Sequence, residues 1–478
     1  MTLAAGAAAR DISPPGGVAL FGYPHVKRIS TGVHDPILAS VLYLESGSDS
    51  PLKKSLAADL GATAGLSSSV SAGLMLGTAG QASSGTLFQR AASSVVLISL
   101  DLLFIDPPTA RSIRRAVAEE LSIAQAGVFI GCTHTHSAPV TGRLIGWQAD
   151  PAVPAPEEAY LEFVKEQAVE AVRAAVSKKC PAEIAQTTAD ATGVGGNRLA
   201  TDGLTDPEVG LLVIRPSGGG PPLALDMVYG MHPTVLHEDS TLVSSDFPHY
   251  ARQQLREQFG EDLTVVYHTA PCGNQSPRRF VSGQTFQEAE RLGRKLGAAV
   301  ADSLDALTDR AFTADCPLRA SLRKVDLPRR TLPGVAEAER LLAEYEADFQ
   351  RLQAEGAERV EVRTAECAVF GAEGIVTLAR AQQQGQIDRV LAQYEPIEVQ
   401  LLRIGQTCLA GLPGELFTEY ALEIKRLAAP KTFVVSLVNG ELQGYIVTPE
   451  TAGGYEAANS LFTPEAGRVL VDAVLAAL

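Results

Sequence analysis

Residues 127–142 read GVFIGCTHTHSAPVTG, and the interpretation of the whole chain starts from this stretch. An apolar run ends at Cys132, and His134 and His136 follow it, one residue apart. On a regular strand, alternate residues share a face and neighbours oppose, but at a strand end the backbone can turn and direct both rings into one cleft. Imidazole is the commonest side-chain metal ligand near neutral pH. Such a pair alone is more often structural, so a metal site needs partners elsewhere in the chain.

The composition indicates a folded protein with no affinity for nucleic acid. The chain has 478 residues, of which 46% are hydrophobic, and a formal net charge of -15. This charge should repel nucleic acids and anionic lipid surfaces. The most apolar run, residues 93–105, is interrupted by Asp101 and is too short to span a bilayer, so we expect no stable membrane insertion. The sequence carries no indication of the oligomeric state.

Cysteine usage and the N-terminal segment indicate a reducing compartment. The six cysteines are scattered and form no C-x-x-C pair, which is typical of reduced, buried thiols. The first residues lack the basic segment and the long apolar core of a signal peptide. We therefore expect no signal peptide and a cytoplasmic protein.

Strand-like and helix-like segments alternate along the chain. Several of the strand-like runs are continuously apolar, which is typical of strands buried on both faces. The runs lie at residues 39–46, 94–105, 127–133, 209–216, 223–231, 263–270, 397–405 and 432–440. The alternation predicts the α/β class, here a layered mixed-sheet domain with helices packed on the sheets. We expect residues 1–478 to form this one domain.

Two segments depart from the alternation. Residues 46–92 are rich in Ser, Gly and Ala, which predicts an inserted loop or a lid. Residues 330–396 predict a helical excursion, which includes an amphipathic helix at 334–356. Four apolar residues share one face of that helix: Leu342, Tyr345, Phe349 and Leu352. We interpret this face as core packing, with a partner-binding stripe as the alternative.

Polar residues follow four more of the strand-like or apolar segments. These residues are His232, Ser276, Glu415 and Tyr445. In α/β sheets, ligands bind at the carboxyl ends of the strands, so this pattern predicts a site. Each residue also has a simpler interpretation. Glu415 can favour a helix dipole, Tyr445 can be a packed aromatic residue, and Ser276 can belong to a turn.

Taken together, these stretches resemble the neutral, zinc-dependent ceramidase family, and the resemblance spans nearly the whole chain. The motifs that carry it, in order, are ARDISPP (9–15), GVHDPILAS (32–40), SLDLLFID (99–106), THTHSAP (133–139), GGNR (195–198), HPT (232–234), GNQSP (273–277), LPGELFT (412–418) and GYIVTPE (444–450). The chain departs from the family at GNQSP, where the family reads like GDVSP, and at APVTG, where the family has GPGG. The family's C-terminal β-sandwich domain has no counterpart before Leu478, so we expect the catalytic domain only.

The resemblance implies a ligand set and roles for nearby residues. It implies one zinc ion per chain, held by His134, His232, Glu415 and Tyr445. His136 would polarise or protonate the substrate, and Ser276 would act as a nucleophile or position the reacting group. Arg198, with His136, would stabilise the developing oxyanion. The expected substrate-binding residues are Asn197 and Asn274, although Asn197 and Arg198 can also belong to a surface loop.

The expected activity is zinc-dependent hydrolysis of a linear, non-peptide amide. Zinc polarises a carbonyl oxygen and activates water, which is what an unreactive amide requires. The expected partner is a small-molecule N-acyl or ester substrate. Two alternatives remain open: an esterase or other zinc hydrolase on the same scaffold, and a ceramidase-like protein that binds a ligand without catalysis.

Overall fold

The computed structural model describes residues 2–47, 90–451 and 454–478. The predicted insertion at 46–92 therefore lies outside the described residues, except at its two ends. Within the described ranges the chain forms ten α-helices and nineteen strands. None of these helices combines the length and the apolar character needed to cross a bilayer.

The strands are β1 (Leu3–Asp11), β2 (Gly32–Val33), β3 (Leu38–Ser46), β4 (Arg90–Ala91), β5 (Ser94–Leu100), β6 (Val128–Cys132), β7 (Cys180–Asp190), β8 (Gly196–Asn197), β9 (Glu208–Pro216), β10 (Ala224–Tyr229), β11 (Leu242–Val243), β12 (Thr264–Thr269), β13 (Gln275–Ser276), β14 (Leu318–Val325), β15 (Ile397–Ile404), β16 (Thr407–Gly411), β17 (Glu415–Leu416), β18 (Lys431–Val435) and β19 (Tyr445–Ile446). The helices are α1 (Pro107–Leu121), α2 (Glu158–Ser177), α3 (Phe247–Phe259), α4 (Phe286–Asp305), α5 (Val335–Glu355), α6 (Arg359–Gln383), α7 (Gln386–Tyr394), α8 (Thr418–Leu427), α9 (Tyr455–Ala458) and α10 (Glu465–Leu475).

All eight predicted strand segments form strands, but two of them end five residues earlier than predicted. β5 ends at Leu100 because the next residue, Asp101, turns its carboxylate towards Arg252 and leaves the ladder. β18 ends at Val435, and the backbone beyond it takes positive φ at Leu437 and Asn439. Both early ends release chain segments into loops.

Two mixed sheets form the framework. The larger sheet has the strand order β12-β10-β9-β7-β1-β3-β5-β6, and the smaller has the order β18-β16-β15-β14-β4. Parallel pairing occurs at the sheet edges, between β5 and β6, between β10 and β12, and between β16 and β18. The other pairs in these two sheets are antiparallel.

The two sheets pack face to face, and helices cover both outer faces. The core between the sheets includes Leu97, Phe129, Val266, Leu402, Leu409 and Phe433. On the outer face of the larger sheet, α1 and α2 pack in one cluster and α3 and α4 in another. Helices α7, α8 and α10 cover the smaller sheet. The arrangement has four layers in the order α, β, β, α, which confirms the predicted α/β layered mixed-sheet class.

The predicted amphipathic helix forms as α5, but the prediction that its apolar face is core was wrong. Tyr345 is 43% exposed, and the other three residues of the stripe are only partly buried. α5 instead contacts α6 near its own N-terminus, where Ala338 and Leu342 pack with Val376 and Ala379. The two helices pair with each other, so only the first part of the stripe meets a partner.

Loops from both sheets meet where the candidate site lies. The backbone N–H of Ser436, after β18, donates to the carbonyl of Thr269 at the end of β12, at 2.8 Å. The N–H of Gly273, after β12, donates to the carbonyl of Leu416, after β16, at 2.9 Å. Backbone hydrogen bonds thus connect the ends of strands from different sheets.

Candidate metal centre

His134 follows β6 with a backbone conformation that explains how two alternate histidines face one cleft. Its φ is 69°, in the left-handed region, which costs a non-glycine residue about 1–3 kcal/mol. This turn breaks the alternation of the strand, and the rings of His134 and His136 lie 5.0 Å apart between centroids. The strain is retained because the surrounding contacts fix the residue: its N–H donates to the carbonyl of Leu102 at 2.9 Å.

Three histidine rings are held in the same way, each by a backbone carbonyl. Nδ1 of His134 donates to the carbonyl of Leu103 at 2.9 Å, and Nδ1 of His232 to that of Cys272 at 2.8 Å. Nδ1 of His136 donates to the carbonyl of Gly22 at 3.0 Å. A carbonyl accepts only, so each Nδ1 carries the proton and each Nε2 presents a lone pair. This is how proteins orient histidines that bind metals.

The lone pairs of two histidines converge with a carboxylate oxygen. Nε2 of His134 lies 3.1 Å from Nε2 of His232, and Oε2 of Glu415 lies 3.2 Å and 3.4 Å from these two atoms. Oε2 of Glu415 has no donor partner among the described residues. Three electron-rich atoms this close repel one another unless a cation lies between them. Ligands at 2.0–2.1 Å around a tetrahedral zinc ion are about 3.3 Å apart, so the triangle fits such an ion.

His136 is a further candidate for this centre. The ligand nitrogens of His134, His136 and His232 all lie within 4.8 Å of one another, and this group could hold a metal ion. Nε2 of His136 is buried and has no hydrogen-bond partner within the described part of the chain. The family resemblance, and not the spacing of the H-x-H pair, assigned His136 to the substrate and His134 to the metal, since the spacing does not reveal the direction of either ring.

The pKa shifts of the candidate ligands favour the protonation states that a bound cation requires. Burial lowers the pKa of His232 to about 4, against the opposing effect of Glu415. Burial, and the neighbouring His134 and His232, lower the pKa of His136 well below its usual value. Burial alone would raise the pKa of Glu415, but His134 and His232 hold it well below the ordinary range. At neutral pH the centre therefore combines neutral His136 and His232 rings with an ionised carboxylate.

Tyr445 lies beside Glu415 through backbone pairing. β17 and β19 are parallel, with Glu415 opposite Tyr445. Burial and the charge of Glu415 raise the pKa of the Tyr445 phenol well above its usual value. The guanidinium of Arg198 lies 5.3 Å from the centroid of the Tyr445 ring, and its Nε donates to Glu456 at 2.9 Å. The structure thus brings Tyr445 and Arg198 to the side of the cluster where Glu415 lies.

Ser276 belongs to a short strand that is hydrogen-bonded to the strand before Arg198. β13 pairs antiparallel with β8, with Ser276 opposite Gly196, and the N–H of Arg198 donates to the carbonyl of Asn274 at 2.8 Å. The Ser276 hydroxyl oxygen accepts from the N–H of Arg278 at 3.2 Å. This is the contact of a turn residue, and it leaves the hydroxyl proton available to another group.

The amides of Asn197 and Asn274 are bonded within the protein. Asn197 donates to the carbonyl of Leu204 at 3.0 Å, and its oxygen accepts from two backbone N–H groups of the same loop. Asn274 donates to both carboxylate oxygens of Glu419 at 3.0 and 2.8 Å, and accepts from the N–H of Thr418 at 3.0 Å. These bonds order the loop after β8 and the start of α8, and a role in substrate binding stays a prediction for both residues.

A buried ion pair supports the segment after β6 that carries His134 and His136, which we call the histidine loop. This ion pair was not identified from the sequence. Nη1 and Nη2 of Arg252 each donate to one oxygen of Asp101 at 2.7 Å, with both side chains almost completely buried. Asp101 directly precedes Leu102 and Leu103, whose carbonyls hold His134. The available signal was the single acidic residue within an apolar run, since a buried carboxylate requires a charged partner.

Comparison with known proteins identifies the fold. No family model and no curated protein sequence matches the chain. Among solved structures, the neutral ceramidase from Pseudomonas aeruginosa matches with a TM-score of 0.69 and 17% identity, over 100% of this chain and 74% of that one. A structure described as ceramidase complexed with C2 matches with a TM-score of 0.67 and 15% identity, over 100% of this chain and 75% of that one.

The four-layer fold and a buried histidine cluster that could hold a metal define the class: a layered α/β protein with a candidate metal centre at its strand ends. Within that class, the chain has a neutral ceramidase-like fold. The resemblance of fold that the sequence motifs indicated is therefore confirmed.

Proposed function

We propose that this chain is a zinc-dependent hydrolase that cleaves a linear, non-peptide amide bond. The observation that carries the proposal is the triangle of His134 Nε2, His232 Nε2 and Glu415 Oε2, with sides of 3.1, 3.2 and 3.4 Å. Two nitrogen donors and one carboxylate, with a further position for water or substrate, are a common ligand set of catalytic zinc. The shared fold with a neutral ceramidase, a name that denotes cleavage of an amide, supports an amide as the substrate.

His134, His232 and Glu415 would hold the ion, with Tyr445 as the fourth ligand. When bound, zinc supplies Lewis-acid chemistry, which polarises a carbonyl oxygen and acidifies water. The Tyr445 phenol is positioned by the backbone pairing with Glu415 and not by a metal bond alone. Its place beside Glu415 therefore does not depend on a bound ion.

His136 would move protons in the reaction. Its Nδ1 is fixed on the carbonyl of Gly22, and its Nε2 is free of protein partners among the described residues. Because burial and the two neighbouring histidines lower its pKa, the ring is neutral at pH 7 and Nε2 can accept a proton from water. The same nitrogen can then donate this proton to the leaving amine.

Arg198 and Ser276 would act on the substrate. Burial lowers the pKa of Arg198, but the neighbouring Tyr445 and Glu456 more than offset this effect, so the guanidinium stays charged. A fixed charge of this kind stabilises a developing oxyanion, and one well-placed donor contributes about 3–4 kcal/mol. The Ser276 hydroxyl, held by the Arg278 N–H, would attack the carbonyl or position the reacting group.

The test is elemental analysis of the purified full-length protein, followed by hydrolysis assays on a panel of N-acyl amides and matched esters. We expect about one zinc ion per chain, loss of hydrolysis with a chelator, and recovery when zinc is added back. Amide hydrolysis that survives complete metal removal would contradict the zinc mechanism. A zinc-loaded protein that cleaves esters but no amide would replace the proposal with an esterase.

A further inference from the structure

Arg278 is a cation that lies two residues after Ser276 and has no hydrogen-bond or ion-pair partner within the described part of the chain. It belongs to the turn Pro277–Arg279, and its backbone N–H is the donor to the Ser276 hydroxyl. Its side chain is exposed. Across residues 2–47, 90–451 and 454–478, no hydrogen bond, ion pair or ring contact is formed by its guanidinium.

The other arginines of this region are all bonded. Arg198 donates to Glu456 at 2.9 Å, and Arg279 donates to the Thr201 hydroxyl at 2.8 Å. Arg363, on α6, pairs with Glu366 at 2.6 Å and lies 3.5 Å from Glu238. Arg278 is therefore the arginine here whose guanidinium has no hydrogen-bonded or ion-paired acceptor among the described residues, and the charge of Glu456 opposes its own only without such a contact.

Arg278 lies beside the residues that border His136. Its backbone N–H contacts the Ser276 hydroxyl at 3.2 Å. The centroid of the Tyr23 ring lies 5.1 Å from that of His136 and 4.4 Å from that of His237. Burial, followed by the charges of Arg363 and Arg278, lowers the pKa of His237 to about 4, in agreement with this position.

A guanidinium without a bonded acceptor among the described residues is significant at this position because the whole protein is acidic. A net charge of -15 repels anions in general, so a local positive charge at the cleft is needed to attract one. A guanidinium presents two parallel N–H groups that match the two oxygens of a carboxylate. A neutral amide with two apolar chains offers this group no partner.

We propose that the substrate carries a carboxylate close to the scissile amide, and that Arg278 binds this carboxylate. N-acyl amino acids and N-alkyl succinamates share this chemistry. The proposal rests on the hydrolase function, because the ligand is a substrate only if the chain hydrolyses it. Recognition of the anion depends on Arg278 and is measured separately from hydrolysis.

The test uses a ligand that cannot be hydrolysed. In 4-oxotridecanoate a ketone replaces the amide, and its carboxylate lies at the same distance from the carbonyl as in both amide classes. 4-Oxotridecanamide is the uncharged match. Binding of each compound to the full-length protein is measured by titration calorimetry, with Arg278→Gln as the variant. Arg310→Gln, at an exposed arginine in the turn Asp309–Ala311, is the control for the change in net charge.

We expect the wild type and Arg310→Gln to bind the acid about 10-fold more tightly than the amide, and Arg278→Gln to bind both equally. Equal affinities in the wild type, a preference that persists in Arg278→Gln, or no binding of either compound would overturn the proposal.

A separate assay compares the hydrolysis of N-decanoylglycine with that of N-decanoylethanolamine. We expect the acid to be preferred and the preference to disappear in Arg278→Gln. A protein that prefers the oxo acid but hydrolyses no amide would contradict the hydrolase function and leave anion recognition by Arg278 intact.

Discussion

Glu415 and Tyr445 lie opposite each other in a parallel pair formed by two strands of two residues each. The pair is reinforced where the N–H of Phe417 donates to the carbonyl of Ile446 at 3.2 Å. The carboxylate and the phenol are therefore brought together by backbone hydrogen bonds and not by contacts of their own. The two side chains therefore lie together whether or not a ligand is bound.

Removal of His232 should remove the metal together with the activity. His232 contributes one corner of the ligand triangle, so His232→Ala should reduce the zinc content from about one ion per chain to near zero, because only one nitrogen ligand, the carboxylate and a phenol of raised pKa would remain. Ser276→Ala should keep the zinc and lose at least about 100-fold in rate. Both are measured by elemental analysis and by initial rates.

A suitable control for His232→Ala is His249→Ala. His249 is partly exposed, and its ring lies against Asp35 at 3.6 Å, outside the cluster. This variant should retain its zinc. Unchanged zinc content in His232→Ala would rule out the ligand assignment.

Gly22 controls the position of His136. Its φ is 108°, its carbonyl accepts from Nδ1 of His136, and a Cβ added at Gly22 would lie 2.6 Å from that nitrogen. Gly22→Ala should displace the ring, retain the zinc and reduce hydrolysis about 100-fold or more. Gly16→Ala is the matched control, because Gly16 has the same φ of 108° and a Cβ there meets no atom within 4 Å. Equal rates in the two variants would show that His136 does not transfer protons.

The Asp101–Arg252 pair should dominate the stability of the histidine loop. Arg252→Met leaves the Asp101 carboxylate buried without its cation, which lowers the free energy of unfolding by about 3–5 kcal/mol. The double variant with Asp101→Asn should recover much of this loss, since no buried charge remains. Arg173→Met, at an exposed pair with Glu120, should cost much less, because solvent screens an exposed ion pair. Urea unfolding measures all three, and a loss no larger than that of Arg173→Met would contradict the role of the pair.

Eight of the thirteen strands in the two main sheets could be predicted from the sequence, but the central strand β1 could not. β1 reads LAAGAAARD and lies between β7 and β3 in the larger sheet. Alanine favours helices, so local propensity gives the wrong indication. The small side chains are required because α2 packs closely over the strand: a Cβ added at Gly6 would lie 2.0 Å from the carbonyl oxygen of Ala175. This constraint comes from tertiary packing and is not visible in the strand itself.

The candidate site could be predicted from the sequence only in outline, because tertiary contacts also decide where its side chains point. Polar residues that follow apolar runs can be recognised in the sequence, and the structure brings His134, His232 and Glu415 together. The left-handed turn at His134, which directs its ring into the cleft with that of His136, depends on contacts with Leu102 and Leu103. Such contacts are distant in sequence, so no local pattern records them.

Asn274 stands where the family resemblance leads one to expect an aspartate, and Glu419 explains the difference. Both oxygens of Glu419 accept from Nδ2 of Asn274, so Asn274→Asp would place two carboxylates in contact. We expect the free energy of unfolding to fall by about 1–3 kcal/mol. Glu419→Gln in the same chain should restore much of this loss, because an amide can donate to the new carboxylate. Failure of the double variant to recover stability would contradict this account.

Glu441 should make the stability of the protein depend on pH. Its carboxyl is 3% exposed and accepts from the Tyr394 hydroxyl at 2.7 Å and from the backbone N–H of Gln443, in the loop that leads to Tyr445. Burial raises its pKa from 4.5 to about 8, against the opposing effect of these bonds. The folded state therefore favours the protonated carboxyl. The stability that this group contributes is complete below the unfolded pKa and is lost as the pH rises through the folded pKa.

Glu441→Gln removes this titration and keeps a side chain of the same shape. Between about pH 5 and pH 8, the wild type should lose up to several kcal/mol of unfolding free energy relative to the variant, since one pKa unit is worth about 1.4 kcal/mol. Urea unfolding at each pH gives this difference, in which the titrations common to both proteins cancel. Glu119→Gln, at an exposed position on α1, is the control for the loss of one carboxylate. If Glu441→Gln runs parallel to the wild type, Glu441 is ionised at neutral pH in the folded state, and the loop before Tyr445 holds a buried negative charge.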